Sequence, residues 1–364
     1  MQPIGIYLHI PFCISKCAYC DFYSFPTEET MMDLYTDRLC RDLRAWGKQF
    51  GRTADTLYIG GGTPSLLGGE RIARLVTTAK TAFGDAMKEI TLEANPADDL
   101  DETLRRAAAS GVTRLSFGVQ SAITEELQTL SRRHGTSDVV RSVRAARAAG
   151  IDNLSLDLML GIPGQTAGSL LRSIDFLCEM EPEHISAYLL KIEPGTPFAR
   201  ELPRDMPDAD QAAELYLICV EELARRGFGQ YEISNFARNG RVSLHNLKYW
   251  RGEDYLGLGP SAHSLIGHKR FFFPRDLARY MAGGQPVEEG EGGGEEEYIL
   301  LRLRLAEGIR FADYARRFGR PFPETLLQKL GRLADAGYVS LREDGFSLTP
   351  EGFLVSNAIL AELI

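Results

Sequence analysis

Six short β-rich runs alternate with helical patterns, and this alternation limits the fold more than any other feature of the chain. The runs are 4–10 (IGIYLHI), 55–59 (DTLYI), 89–94 (EITLEA), 113–118 (TRLSFG), 152–158 (DNLSLDL) and 184–191 (HISAYLLK). Helical patterns fill 30–48, 68–83, 98–110, 136–149 and 168–180, and some stop at a glycine, as at Gly111 and Gly150. Strand–helix alternation makes βαβ units and a parallel sheet. Six such units build either a doubly wound sheet or an incomplete (β/α) barrel. In both, the chemistry belongs at the carboxyl ends of the strands.

Unusual residues stand at that end of every run. Three cysteines follow the first, and Gly60-Gly61-Gly62-Thr63-Pro64 follows the second. Glu93-Ala94-Asn95-Pro96 ends the third and Gly118-Val119-Gln120-Ser121 the fourth. Asp157 to Gln165 (DLMLGIPGQ) ends the fifth, and Glu193-Pro194-Gly195-Thr196-Pro197 follows the sixth. Turns needed only for structure would put glycines at both ends, so one shared cleft is expected.

Cys13, Cys17 and Cys20 are spaced C-x3-C-x2-C, whereas Cys40, Cys178 and Cys219 are scattered in helical patterns and read as small buried hydrophobes. The chain has 364 residues, and its first residues (MQPIGIYLHIPFC) lack the basic n-region of a secretory signal. It also lacks an apolar run long enough for a membrane span. A disulfide framework is therefore not expected; clustered cysteines in a reducing cytoplasm point to metal. Three thiolates from one loop suit a [4Fe–4S] cube with one iron left open. A zinc site using His9 is the alternative, but structural zinc takes four ligands and there is no second cysteine pair.

The formal charge of −9 argues against a general nucleic-acid binder. Six glutamates lie in 285–297 (QPVEEGEGGGEEE), which reads as a solvated acidic Gly/Glu linker. Beyond it come helical patterns 297–305, 311–317 and 323–336, then a hairpin around Glu343-Asp344-Gly345. That pattern is winged-helix-like, and partner docking is preferred to DNA binding because the chain is acidic.

At the cysteine window the chain resembles the radical S-adenosylmethionine (SAM) superfamily. YLHIPFCISKCAYCDF, YIGGGTP, GVQS, the DL-x-x-GIPGQT segment and the carboxy-terminal extension narrow the resemblance to the oxygen-independent coproporphyrinogen III oxidase group. The resemblance implies an α/β fold, an incomplete (β/α)6 TIM-like barrel with a C-terminal winged-helix-like domain. The implied divisions are 1–200 partial barrel, 201–284 barrel extension, 285–297 linker and 298–364 C-terminal domain. It also implies a cluster on Cys13, Cys17 and Cys20, with the amino and carboxylate groups of SAM on the fourth iron. The implied SAM contacts are Tyr7, Tyr19, Gly61, Gly62, Thr63, Glu93, Gln120, Arg132 and Asp157. A guanidinium at Arg132 can fork onto the SAM carboxylate.

Two departures from the oxidase matter. Its cysteine window continues to a fourth cysteine, where this chain has Phe22. The segment His245-Asn246-Leu247-Lys248-Tyr249-Trp250, with Gly257 to His263, is similar to the heme chaperone branch of the group. That resemblance implies heme as cargo and an unidentified heme-acceptor protein, with no nucleic acid as partner. It leaves transient membrane association and a dimer open. His245 is the candidate heme ligand, with Tyr249 and Trp250 as flat faces for a porphyrin; His134 and His263 are weaker candidates. Three activities are thus weighed: a heme carrier, a radical SAM oxidase decarboxylating coproporphyrinogen III, and a winged-helix regulator with a metal site. The first is favoured.

Overall fold

A computed structural model describes residues 2–364. The six expected runs are parallel strands: β1 (Ile4–Ile10), β2 (Ala54–Gly61), β3 (Glu89–Ala94), β4 (Arg114–Gln120), β5 (Asn153–Leu160) and β6 (His184–Leu189). They lie side by side in chain order. A doubly wound sheet reverses its strand order at a switch point. Here no reversal occurs, so the right-handed crossovers stack their helices on one face and the sheet curls around the other. The result is the incomplete (β/α)6 barrel.

Neither side of the partial barrel ends at β1 or β6. After β6 come β7 (Gly229–Glu232) and β8 (Asn235–Ala237), and β8 pairs antiparallel to β6. β9 (Tyr255–Leu258) adds in parallel to β1, and β10 (His263–Ile266), β11 (Lys269–Phe272) and β12 (Val287–Glu291) continue outward. The sheet therefore has 12 strands.

Strand alternation separates the two faces. Leu115, Phe117 and Val119 of β4 are fully buried in the core, while Arg114, Ser116, Gly118 and Gln120 face the barrel interior and line its cavity. On β5, Leu154, Leu156 and Leu158 enter the core, and Asp157 and Met159 face the cavity. The interior is thus polar and the helix-facing side apolar.

Segment 285–297 differs from the expected linker. Val287–Glu291 forms β12 and pairs antiparallel with β11, and a helix starts at Glu295. The glutamates of the strand itself stay in solvent: an outermost strand needs partners on one side only, so Glu288, Glu289 and Glu291 remain exposed while their backbone is paired.

The C-terminal unit places β13 (Ile309–Arg310), β15 (Gly345–Leu348) and β14 (Val339–Arg342) side by side in one small sheet. Helices Glu295–Arg302, Phe311–Phe318 and Glu324–Asp335 precede the hairpin as expected, and two more, Pro350–Leu354 and Ser356–Leu363, follow it. The unit joins the barrel through backbone bonds from Ile233 to Arg304 (2.9 Å) and from Ala306 to Tyr231 (3.0 Å). All six cysteines are free thiols; Cys40 and Cys219 are buried, whereas Cys178 is only half-buried. No helix among the described residues is long and apolar enough to cross a membrane.

Candidate functional site

A cavity of about 690 Å³ opens at the carboxyl ends of the barrel strands, within the roughly 300–1,000 Å³ common for small-molecule sites. The three cysteines and every expected SAM contact except Tyr7 line it. Tyr7 instead bonds His9, its hydroxyl 3.0 Å from Nδ1. His9 Nε2 donates to the Tyr23 carbonyl at 2.9 Å. Both His9 ring nitrogens are thus engaged, which leaves that imidazole unavailable to a metal.

The cysteine loop leaves β1 and is pinned at its base. Cys13 N–H donates to the Phe25 carbonyl (3.1 Å) and Phe25 N–H to the Pro11 carbonyl (3.0 Å). Cys13 Sγ lies 3.3 Å from Thr63 Oγ1. Cys17 Sγ accepts from Arg132 Nη1 at 3.5 Å, and Arg132 Nη2 donates to the Gly118 carbonyl. Burial pushes the Cys20 thiol up to about 11. No three His, Cys, Asp or Glu side chains among the described residues converge as ligands of one metal ion. Cube ligands need no such convergence, because each thiolate takes its own iron.

The glycine segment is shaped by the cysteine loop. Gly61 has φ +115°, and a Cβ there would lie 2.6 Å from the His9 ring. A Cβ on Gly62 would lie 2.5 Å from the Phe12 carbonyl. The backbone N–H groups are used internally: Gly62 donates to Ile10 (2.8 Å), Thr63 to Phe12 (2.7 Å) and Gly61 to Glu93 Oε2 (3.0 Å). What remains for an incoming amino group is carbonyl oxygen, which is the partner an N–H donor needs.

The acids of the site are partly desolvated. Glu93 Oε1 accepts from the Tyr58 hydroxyl at 2.7 Å, and burial raises its carboxyl above the ordinary range. Asp157 Oδ1 accepts from Ser116 Oγ at 3.2 Å. Burial, with Glu93 nearby, pushes Asp157 up to about 7. Gln120 adopts φ +72°, and its Oε1 accepts from the Tyr188 hydroxyl at 2.9 Å. A non-glycine residue held at positive φ marks a position fixed by its surroundings.

The heme candidates lie elsewhere. His245 is 0% exposed. Its Nδ1 is 2.8 Å from Thr56 Oγ1 and its Nε2 2.8 Å from the Tyr249 hydroxyl. Burial, with Lys248 and Arg114 nearby, pushes its imidazole down to about 3. With both ring nitrogens bonded, His245 sits as a core histidine in this arrangement. It ties helix Leu244–Arg251 to β2, while Glu89 caps that helix through Leu244 N–H (2.9 Å) and His245 N–H (3.0 Å). Tyr249 packs edge-on against Tyr255, centroids 4.5 Å apart. Trp250 faces Tyr298 and Arg302 at a small crevice beside the C-terminal unit. Of the motif, only Asn246 reaches the cavity. His134 is buried and bonded to the Val119 carbonyl at 2.9 Å; His263 is exposed, stacked on Phe272 and 3.4 Å from Glu289.

Several lining residues were not singled out from the sequence: Tyr58, Arg114, Ser116, Ser186, Tyr188 and Asn235. The signal for most of them is the two-residue period of their strands, which puts Ser116 with Gly118 and Gln120, and Ser186 with Tyr188, on one face. Phe22 stands at the rim, 64% exposed, and Ile14 of the same loop is 50% exposed.

The radical SAM superfamily model matches residues 7–177, and the HemN C-terminal domain model matches residues 296–355. Heme chaperone HemW of Mycobacterium tuberculosis is 37% identical, with 100% of this chain and 95% of that protein covered. Heme chaperone HemW of Bacillus subtilis is 34% identical, with 98% of each covered. Among solved structures, coproporphyrinogen III oxidase HemN of Escherichia coli, described as a radical SAM enzyme, aligns with a TM-score of 0.85 and 25% identity. The alignment covers 99% of this chain and 89% of that one. On full-length similarity, supported by the barrel and its cysteine-lined cavity, the chain belongs to the heme chaperone HemW family of the radical SAM superfamily.

Proposed function

We propose that the protein binds heme and hands it to an acceptor protein, and that Cys13, Cys17 and Cys20 hold a [4Fe–4S] cluster with exchangeable SAM at the fourth iron. One observation carries the site reading: three thiols, the Gly61–Thr63 cradle, Arg132 and the two strand-end acids share a single cavity. The donor set fits a cube, since three thiols from one loop leave one position open. The cluster, when bound, supplies one-electron chemistry and an iron that takes the SAM amino and carboxylate groups.

The chain's own residues then divide the work. Arg132 sets a fixed positive charge beside Cys17, suited to a carboxylate. Gly61 and Gly62 let the strand end seat against His9 and the Phe12 carbonyl, where a Cβ would clash, and so hold the Gly61–Thr63 cradle in place. Asp157 and Glu93 present acceptors to amine or hydroxyl donors. Thiolates that must stay unoxidised favour the cytoplasm as the working compartment. Phe22, in place of the oxidase's further cysteine, favours a carrier over a porphyrinogen oxidase.

Anaerobically reconstituted protein should shift the heme Soret band and deliver heme to an apo-acceptor. With SAM, reductant and coproporphyrinogen III it should form no protoporphyrinogen IX. Porphyrinogen conversion would replace the carrier reading with the oxidase one.

A further inference from the structure

We propose that the closed floor of the cavity is a carboxylate-binding subsite built on Arg114, with the side-chain amides of Asn235 and Asn246 beside it. Arg114 opens β4 and is 2% exposed, yet it lines the cavity. Among the described residues no Asp or Glu forms an ion pair with it, and its Nε has no hydrogen-bond partner. Four carboxylates line the cavity, and each is bonded elsewhere: Asp21 to Arg275, Glu193 to Lys191, Glu93 to Tyr58 and Gly61, and Asp157 to Ser116, although Glu93 and Asp157 lie close enough to feel the Arg114 charge. A desolvated guanidinium without a directly bonded counter-ion is costly, and a bound anion lowers that cost.

The subsite borders the one expected for SAM, since the Arg114 charge acts on Glu93 and Asp157. Arg132 is anchored to the Gly118 carbonyl at the cysteine end of β4. Arg114 lies four residues before Gly118 on the same strand, its backbone about 13 Å from that of Gly118 at roughly 3.3 Å per residue. A carboxylate accepts two parallel N–H bonds from a guanidinium, and an asparagine amide can donate beside it. Two sources carry that chemistry: a propionate arm of heme, or a small free carboxylate. Only the first rests on the heme-carrier reading above.

The test uses the anaerobically reconstituted protein and its R114Q and R114K variants, with cluster absorbance and SAM binding as the check on folding. Each is titrated with heme and with heme dimethyl ester, and its melting temperature is followed with sodium propionate. The wild type should prefer heme to the ester by about tenfold or more, the size of one charge-assisted pair. R114Q should lose that preference, and R114K, which keeps the charge but not the fork, should retain part of it. That result assigns the subsite to a heme propionate. Equal binding of heme and ester, with propionate raising the melting temperature of the wild type but not of R114Q, assigns it to a small carboxylate. If the wild type takes up no heme while the propionate response still depends on Arg114, the heme-carrier reading fails and the subsite stands. If R114Q matches the wild type in both arms, the subsite is overturned. Should R114Q fail to fold, R114K decides by the same comparisons.

Discussion

The Arg132 guanidinium lies 3.5 Å from the Cys17 sulfur and also holds the Gly118 carbonyl. It thereby links the cysteine loop to the end of β4. On the proposed site reading, a single cation at that junction would serve both the thiolate and a ligand carboxylate. Arg132→Met should weaken SAM binding by about 10- to 100-fold, the range of a charge-assisted hydrogen bond. Isothermal titration with reconstituted protein measures this, and unchanged affinity would mean that the arginine serves only the loop.

Gly62→Ala tests the seating of the cysteine loop. The added methyl would meet the Phe12 carbonyl at 2.5 Å, and overpacking of this kind costs about 1–3 kcal/mol. The variant should melt lower and retain less iron after desalting. An alanine variant with the wild-type melting temperature would show that the strand end yields easily.

His245→Ala should destabilise the protein by about 2–4 kcal/mol, because the Thr56 and Tyr249 hydroxyls lose their shared partner in a sealed site. Heme uptake by the folded fraction should be unchanged. The pH sign also follows. Burial holds the His245 imidazole near 3 in the folded state, against about 6.5 unfolded. Its neutral form contributes fully above about pH 6.5, and the contribution is lost as pH falls from there toward 3. Loss of heme binding in a folded variant would restore His245 as a ligand.

Asp157 gives the opposite slope. Its folded value near 7 exceeds the unfolded one, so the folded state holds the proton more tightly between about pH 4 and 7. Stability from this group is full below about pH 4 and declines as pH rises toward 7. Asp157→Asn should flatten that part of the apoprotein's stability–pH curve, read by urea unfolding at stepped pH. An unaltered curve would mean that Asp157 ionises normally.

The parallel strands and the cleft were readable because local features mark them: short β-rich runs, glycine stops and one special cluster at each strand end. Arg114 was not, because an arginine opening a strand reads the same whether it points to solvent or into a barrel. Only the sheet's curvature settles which. His245 shows the opposite case. Its motif carries the ligand-type residues, but the facing of helix Leu244–Arg251 against β2 uses up both ring nitrogens. Segment 285–297 has the composition of a linker, and composition does not register that β11 offers it a free row of backbone partners.

The acidic outer strand β12 also bears on solubility. A sheet of 12 strands ends there on unpaired N–H and C=O groups, the kind of border onto which another molecule's strand can grow. Glu288, Glu289 and Glu291 stand along it in solvent, so two such borders brought together repel. Six glutamates, in a chain of net charge −9, lie within a few residues of this seam, which makes them a guard against stacking of one molecule on the next as the protein accumulates.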